Sequence, residues 1–289
     1  MQLNHIATRD GRLSSILREE MKLSAGLMNR LKWDDRILVN GQSQHTDFPV
    51  KAGDAITVLM DEPAPQYPAE DGDLTVLYED DYILAVDKPA GMLIHPSRSR
   101  DTGTLANLVI GYYQKKELPC AFHPVTRLDR DTFGIVLLAK NSYAHALLQA
   151  ASLQKTYHAL TFGGPETDSG IIDAPIRRLP LPSLLRQVHA EGKPSQTRFA
   201  VLARQGNICK LALAPITGRT HQLRVHCAYM GFPILGDPQY GSQISTAFSD
   251  RLGLSYQQLC AKKLEFIHPV TGQPLALESK LDTQEFNFL

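Results

Sequence analysis

Between Met60 and Leu74 the chain runs Asp61-Glu62-Pro63-Ala64-Pro65-Gln66-Tyr67-Pro68 and on to Asp73, rich in proline and acid and without an apolar period. A stretch of this kind offers no face to bury, so it divides the chain into parts that must each build a core. The division predicts a small unit over 1–60, a linker over 61–73 and a large unit over 74–289. In the small unit Leu13, Ile16, Leu17 and Met21 follow the spacing of one helical face. Ser24 is placed to cap a second helix carrying Leu27, Met28 and Leu31. Two short strands follow, Arg36 to Val39 ending in the Asn40-Gly41 turn, and Ala55 to Met60 after the Ala52-Gly53-Asp54 turn.

From Leu74 onward short apolar runs alternate with Gly and Pro turns: Tyr82 to Val86, Ile135 to Leu138, Thr156 to Phe162, Arg198 to Leu202 and Cys209 to Leu213. Helical stretches are fewer, roughly Thr104 to Gln114, Ser142 to Ala151 and His221 to Met230. Many strands with a few interspersed helices predict an α+β fold with a largely antiparallel sheet. The strongest apolar run, Phe133 to Ala139, falls far short of the ~18 residues that span a bilayer. The N-terminus shows no basic-then-apolar leader. Cys120, Cys209, Cys227 and Cys260 are widely spread without a Cys-x-x-Cys, which fits free thiols in a reducing cytoplasm.

Lys plus Arg and Asp plus Glu both number 30, so the formal net charge is zero. Taken alone, that speaks against a polyanionic partner. By position the picture changes: residues 61–90 are net −8, whereas residues 91–230 are net +9. A basic middle masked by one acidic stretch is compatible with nucleic-acid binding, and equally with a solvated surface of mixed charge. Phosphate-loop, Gly-x-Gly-x-x-Gly, His-Glu-x-x-His and Gly-x-Ser-x-Gly patterns are absent from the sequence.

Four segments remain that can carry chemistry. Arg127-Leu128-Asp129-Arg130-Asp131-Thr132-Phe133-Gly134 places carboxylates among guanidinium groups just before an apolar strand. Opposite charge favours an ionised carboxylate, which on a rigid strand end can act as nucleophile or base. An isolated Arg-x-Asp is more often a surface ion pair. Thr217-Gly218-Arg219-Thr220-His221-Gln222-Leu223-Arg224-Val225-His226 reads as a turn at Gly218 and a helix with Leu223, Cys227 and Met230 facing inward. Arg224 then lies at the edge of that face, in reach of an acid across a cleft. Arg219, beside the helix start, could hold a phosphate oxygen; a capped helix with exposed arginines is the plainer alternative. His221 and His226 diverge by roughly 140° on a helix, which disfavours joint metal binding and suits hydrogen bonding. Lys155-Thr156-Tyr157-His158 is a strand bearing a Tyr, and Val86-Asp87-Lys88-Pro89-Ala90-Gly91 is a strand running into a turn.

In this order the four segments resemble the RluA-type RNA pseudouridine synthases. Gly170 to Ile176, Ile234-Leu235-Gly236-Asp237-Pro238-Gln239-Tyr240-Gly241 and Phe266 to Gly272 extend the resemblance over roughly 74–280. The N-terminal unit is similar to the alpha-L RNA-binding motif of a small-subunit ribosomal protein, with a sparse basic set of Arg12, Arg18, Lys22, Arg30, Lys32 and Arg36. The resemblance implies a catalytic domain built on a long, bent, mostly antiparallel sheet with a cleft, plus a small N-terminal α+β RNA-binding domain. It implies Asp129 as the catalytic Asp, Tyr157 as the Tyr beside the uracil, and Arg224 as the Arg paired with Asp129. Arg127 and Arg130 would help hold the RNA, and Leu223 would pack at the uracil. Thr126 and Phe133 depart from the family's usual His and Ser or Thr.

The implied reaction moves the C1′ bond of a uridine from N1 to C5. It oxidises and hydrolyses nothing in net, so no cofactor or metal is expected. The partner would be ribosomal or transfer RNA, with no membrane involved and a monomeric enzyme. The uridine must leave its stack, costing a few kcal/mol, which phosphate contacts would offset. The alternative is a non-catalytic RNA-binding or ribosome-assembly factor that keeps the fold. That alternative has no chemical use for Asp129, Tyr157 and Arg224 together.

Overall fold

The structure is a computed structural model, and it describes residues 2–61, 67–97 and 101–284. Residues 62–66 of the expected linker therefore lie outside the described residues. Helices Leu13–Glu19 and Ala25–Leu31 form as the apolar spacing predicts, and the Ser24 hydroxyl accepts from the Leu27 N–H at 3.2 Å. They cover a four-stranded antiparallel sheet in the order Gln2–Ile6, Ala55–Leu59, Ile37–Val39, Gln42–Ser43. The core between them holds Leu13, Ile16, Leu17, Leu27 and Val58, and it also takes in Tyr143 from the large unit. The Tyr143 hydroxyl donates to the Met21 carbonyl at 2.8 Å, and Tyr82 and Leu147 pack on the same cluster.

The large unit is organised by one ten-stranded sheet. Its path runs Ser169–Asp173, Gln196–Gln205, Ile208–Pro215, Gln154–Phe162, Leu259–Ile267, Phe133–Ala139, Ile83–Lys88, Thr75–Glu79. Two strands lie off this path: Pro274–Glu278 on Leu259–Ile267, and His123–Pro124 on Phe133–Ala139. All these pairings are antiparallel except one short parallel contact, Phe133 with Cys260 and Gly134 with Ala261. Gly134 has φ +106° there, and a Cβ would stand 2.5 Å from the Ala261 carbonyl oxygen, so that close approach requires glycine. The α+β reading with a largely antiparallel sheet stands.

Helices Leu105–Lys115, Ser142–Ala150 and Gln222–Tyr229 match the expected ones within a residue or two. A further helix, Gln243–Arg251, was not expected: its buried residues are Ser245 and Ser249, Ile244 faces solvent, and Phe248 alone packs on the core cluster of Leu160, Ile208, Leu235 and Leu254. The Ser249 hydroxyl donates to the Ser245 carbonyl and accepts from the Gly236 N–H, which makes a polar side chain serviceable inside. Met230, expected to face inward, is 46% exposed, because the helix stops at Tyr229 and Met230 caps it.

The acidic stretch is consumed by local structure. Glu70 accepts from the Gly103 N–H, its own N–H donates to the Asn107 carbonyl, and Asp71 pairs with Lys115. Residues 67–73 thus lie along helix Leu105–Lys115, and Gly111 leaves room for the Glu70 carbonyl, which any Cβ would strike. Glu79 accepts from Lys116 (2.7 Å), Tyr112 (2.6 Å) and Lys140 (3.1 Å). Burial alone would raise its pKa, but these three donors together pull it down to about 2. The folded value lies below the unfolded one, so the contribution is complete above about pH 4.5 and is lost as pH falls towards 2. Glu79→Gln is expected to lower the unfolding free energy by about 2–3 kcal/mol at neutral pH and to flatten stability between those limits. Urea unfolding at a series of pH values checks this; parallel wild-type and variant acid limbs would contradict it.

Candidate active site

Asp129 sits on the loop that leads into strand Phe133–Ala139. The loop closes on itself through the Thr132 N–H to the Asp129 carbonyl at 3.2 Å. It is anchored from below by Lys88, which is fully buried and donates to the carbonyls of Pro89 (2.9 Å), Met92 (2.8 Å) and Arg130 (2.8 Å). Burial drives the Lys88 pKa down to about 7, while the charges of Asp131 and Asp129 act the other way. From the far side, the buried Gln257 amide donates to the Thr132 hydroxyl at 2.6 Å. Thr126 is also buried, and its hydroxyl accepts from the Leu137 N–H at 2.9 Å. A threonine therefore suits that position for the strand's sake.

Arg224 comes from helix Gln222–Tyr229, whose first six residues are all buried, polar ones included. Its Nη1 donates to Asp129 Oδ2 at 3.0 Å. Its Nε and Nη2 donate to Asp237 Oδ2 and Oδ1 at 2.7 and 2.8 Å, a bidentate pair, and Nη2 also reaches Gln239 Oε1 at 2.9 Å. The guanidinium lies 4.9 Å from the Tyr240 ring centre. Arg224 is 4% exposed and Asp237 is 0% exposed at its side chain, whereas Asp129 keeps 31%. The arginine is thus fixed by the buried Asp237, and the open end of the chain of charges is Asp129. A planar fork held on one edge by a carboxylate leaves its other edge aimed at the second.

His221 caps this helix in the left-handed region, φ 58°. Short polar residues and His tolerate that region better than most. The Tyr240 hydroxyl accepts from the Arg186 N–H at 2.9 Å, which leaves its own proton for His221 Nδ1 at 2.8 Å. His221 Nε2 is then 3.9 Å from Asp129 Oδ2. Burial lowers the His221 pKa, opposed by Asp129 and reinforced by Arg224. His226 is fully buried between the Thr197 hydroxyl and the Ala174 carbonyl, a hydrogen-bonding histidine as expected.

Tyr157 projects from strand Gln154–Phe162, half-buried, and packs on the cluster that holds Leu223, Cys227 and Leu213. Burial first, and the charge of Asp129 second, push its phenol pKa up, so it is neutral at pH 7. The structure therefore gathers Asp129, Arg224, Tyr157 and Leu223 in one place. Arg127, Arg130 and Arg219 lie at the surface; Arg130 pairs with Asp131 at 2.9 Å and Arg219 Nε donates to the Pro194 carbonyl at 3.2 Å. Asp237, Gln239 and Tyr240 were not singled out as site residues. Their only signal was the Gly-Asp-Pro-x-Tyr-Gly run around them. Among the described residues no group of three or more His, Cys, Asp and Glu is placed to hold a metal ion, and no helix is long and apolar enough to cross a membrane.

Residues 82–229 match the family model for RNA pseudouridylate synthases. The RNA pseudouridine synthase YhcT of Bacillus subtilis is 35% identical over 280 residues, covering 94% of this chain and 90% of that one. Ribosomal large subunit pseudouridine synthase C of Vibrio cholerae is 31% identical over 287 residues, again covering 94% of this chain and 90% of the relative. The solved structure of human RNA pseudouridylate synthase domain containing 4 superposes with a TM-score of 0.58 at 26% identity, covering 72% of this chain and 88% of that one. By family model, sequence and fold, the chain belongs to the RNA pseudouridine synthases, which are isomerases.

Proposed function

We propose that this protein converts specific uridines in structured RNA to pseudouridine, with Asp129 as the reacting carboxylate. The observation that carries this reading is the accessible Asp129 at the end of an otherwise buried Asp237–Arg224 pair. Asp129 either attacks C1′ as the C1′–N1 bond breaks, or stands as the anion beside a glycal-forming step. In both routes Arg224 holds the carboxylate still, so that no reorganisation is needed as charge develops at the sugar. Tyr157 lies against the uracil, and Leu223 packs beside it. While Asp129 is anionic it helps keep the Tyr157 phenol protonated. Once the carboxylate is bonded to C1′ that influence is gone, so the phenol releases its own proton to solvent more readily and the resulting phenolate can take the proton that leaves C5. The target uridine is flipped from its stack to reach Asp129.

Ribosomal RNA is favoured over transfer RNA as the substrate by the ribosomal large subunit named in the Vibrio relative. Residues 1–60 act as an RNA-binding unit of alpha-L type, and Arg127, Arg130 and Arg219 supply surface cations for the RNA. The four cysteines are free thiols, which suits work in the cytoplasm. The test is a carbodiimide map of pseudouridine in ribosomal and transfer RNA from wild-type cells, cells lacking the gene, and complemented cells. At least one site is expected to vanish on deletion and return on complementation. Identical maps in all three would leave the protein as a binding or assembly factor.

A further inference from the structure

Lys155 is the charged member of the Lys-Thr-Tyr run, and the chemistry above leaves it unused. It stands two residues before Tyr157 on strand Gln154–Phe162, about 7 Å along the same strand. The two residues line one small cavity, together with Thr126 and Lys263. The partner strand is irregular at this point: Lys155 is opposite Leu264 and Thr156 opposite Lys263, but Tyr157 is opposite Ala261, so Lys262 of Leu259–Ile267 is the extra residue. Lys263 already has a counter-ion, Glu265 at 2.8 Å. Lys155 is half-buried, and among the described residues no hydrogen bond or carboxylate satisfies it. Burial lowers its pKa, with no nearby charge to restore it. A desolvated ammonium without an anion is costly, and a site keeps one economically only where an anion arrives with the ligand.

We propose that Lys155 binds a phosphodiester oxygen of the RNA backbone next to the uridine docked against Tyr157, and so positions the substrate. This rests on the reading of Asp129 and Tyr157 given above. The role is electrostatic and positional, and no bond is made or broken by Lys155.

The experiment uses the full-length protein and protein-free ribosomal RNA from cells lacking the gene. Affinity is measured across a range of KCl concentrations for wild type, Lys155→Met and Lys155→Arg, alongside steady-state pseudouridine formation. For Lys155→Met the slope of log affinity against log salt is expected to shrink by about 0.7, the share of one phosphate contact in single-stranded RNA. KM is expected to rise about tenfold, with the smaller part of the loss in kcat. Lys155→Arg restores both, because a guanidinium also binds phosphate. Lys155→Met folds at least as well as wild type, since an unpaired half-buried charge is removed. A wild-type salt slope in Lys155→Met, or a loss confined to kcat, would overturn the proposal. If wild type modifies no uridine, the reading of Asp129 fails, while the salt slope still decides whether Lys155 touches a phosphate.

Discussion

Asp129→Asn is expected to abolish pseudouridine formation, by on the order of 10⁴-fold or more, while leaving RNA binding close to wild type. The two side chains have the same shape, and the amide oxygen can still accept from Arg224 Nη1, which now stands 3.0 Å from Asp129 Oδ2. What disappears is the anion. An amide oxygen neither forms the ester at C1′ nor balances positive charge at the sugar, so the effect falls on the chemical step alone. Single-turnover assays with a gel-shift control read the two quantities separately. A variant within tenfold of wild type would remove Asp129 from the chemistry. The same substitution takes one negative charge away from Tyr157, whose phenol pKa should fall relative to wild type, a change that ultraviolet titration detects.

The second large effect belongs to Asp237. Its carboxylate is sealed from solvent and grips Arg224 through two nitrogens at 2.7 and 2.8 Å. Breaking a buried pair from one side leaves an unbalanced charge, and Asp237→Ala is expected to cost about 3–5 kcal/mol of stability. It should also cost about 10²–10³-fold in kcat, because an Arg224 held only by Asp129 and Gln239 is free to turn. Stability and chemistry are separated by a double replacement, Asp237→Leu with Arg224→Met. Apolar partners of similar volume recover much of the folding free energy. The double variant remains inactive, since nothing then fixes Asp129. Recovery of activity along with stability would show that the pair serves folding only.

Much of this arrangement was legible in the sequence, for reasons that can be stated residue by residue. Strands Ile83–Lys88, Phe133–Ala139, Gln154–Phe162, Gln196–Gln205 and Ile208–Pro215 were legible because Val, Ile and Leu runs between Gly and Pro turns have few other uses, whereas Gln2–Ile6, Thr75–Glu79 and the central Leu259–Ile267 were not singled out. The two N-terminal helices were legible because Leu13, Ile16, Leu17 and then Leu27, Met28, Leu31 keep a helical period and all became buried. Helix Gln243–Arg251 was not, because its buried positions are serines and Phe248 alone adds an apolar contact to the core. The helix carrying Arg224 blurs the period in a different way, burying Gln222, Arg224 and His226 as well as Leu223 and Cys227. The meeting of Asp129 and Arg224, residues far apart in the chain, entered through family resemblance; no local pattern states it. Asp237 escaped notice for the same reason, since its importance lies in a guanidinium that folding brings to it. Lys88 looked like a residue before a turn, and only burial shows that it holds three carbonyls together.

Tyr143 joins the core of residues 2–60 to the rest of the molecule, and its hydroxyl ties Met21 directly. The N-terminal unit is therefore mounted on the body, not tethered to it. A tether would let the two parts search for binding features at variable separation, trading precision for reach. With residues 1–60 binding RNA as proposed above, a mount would work as a ruler instead. RNA that touches both the N-terminal unit and Asp129 must present its two features at one span and one rotation. Lengthening the intervening helix by a single base pair would alter both together. Selection among many uridines of identical chemistry can then rest on distance, with no base read at the target itself.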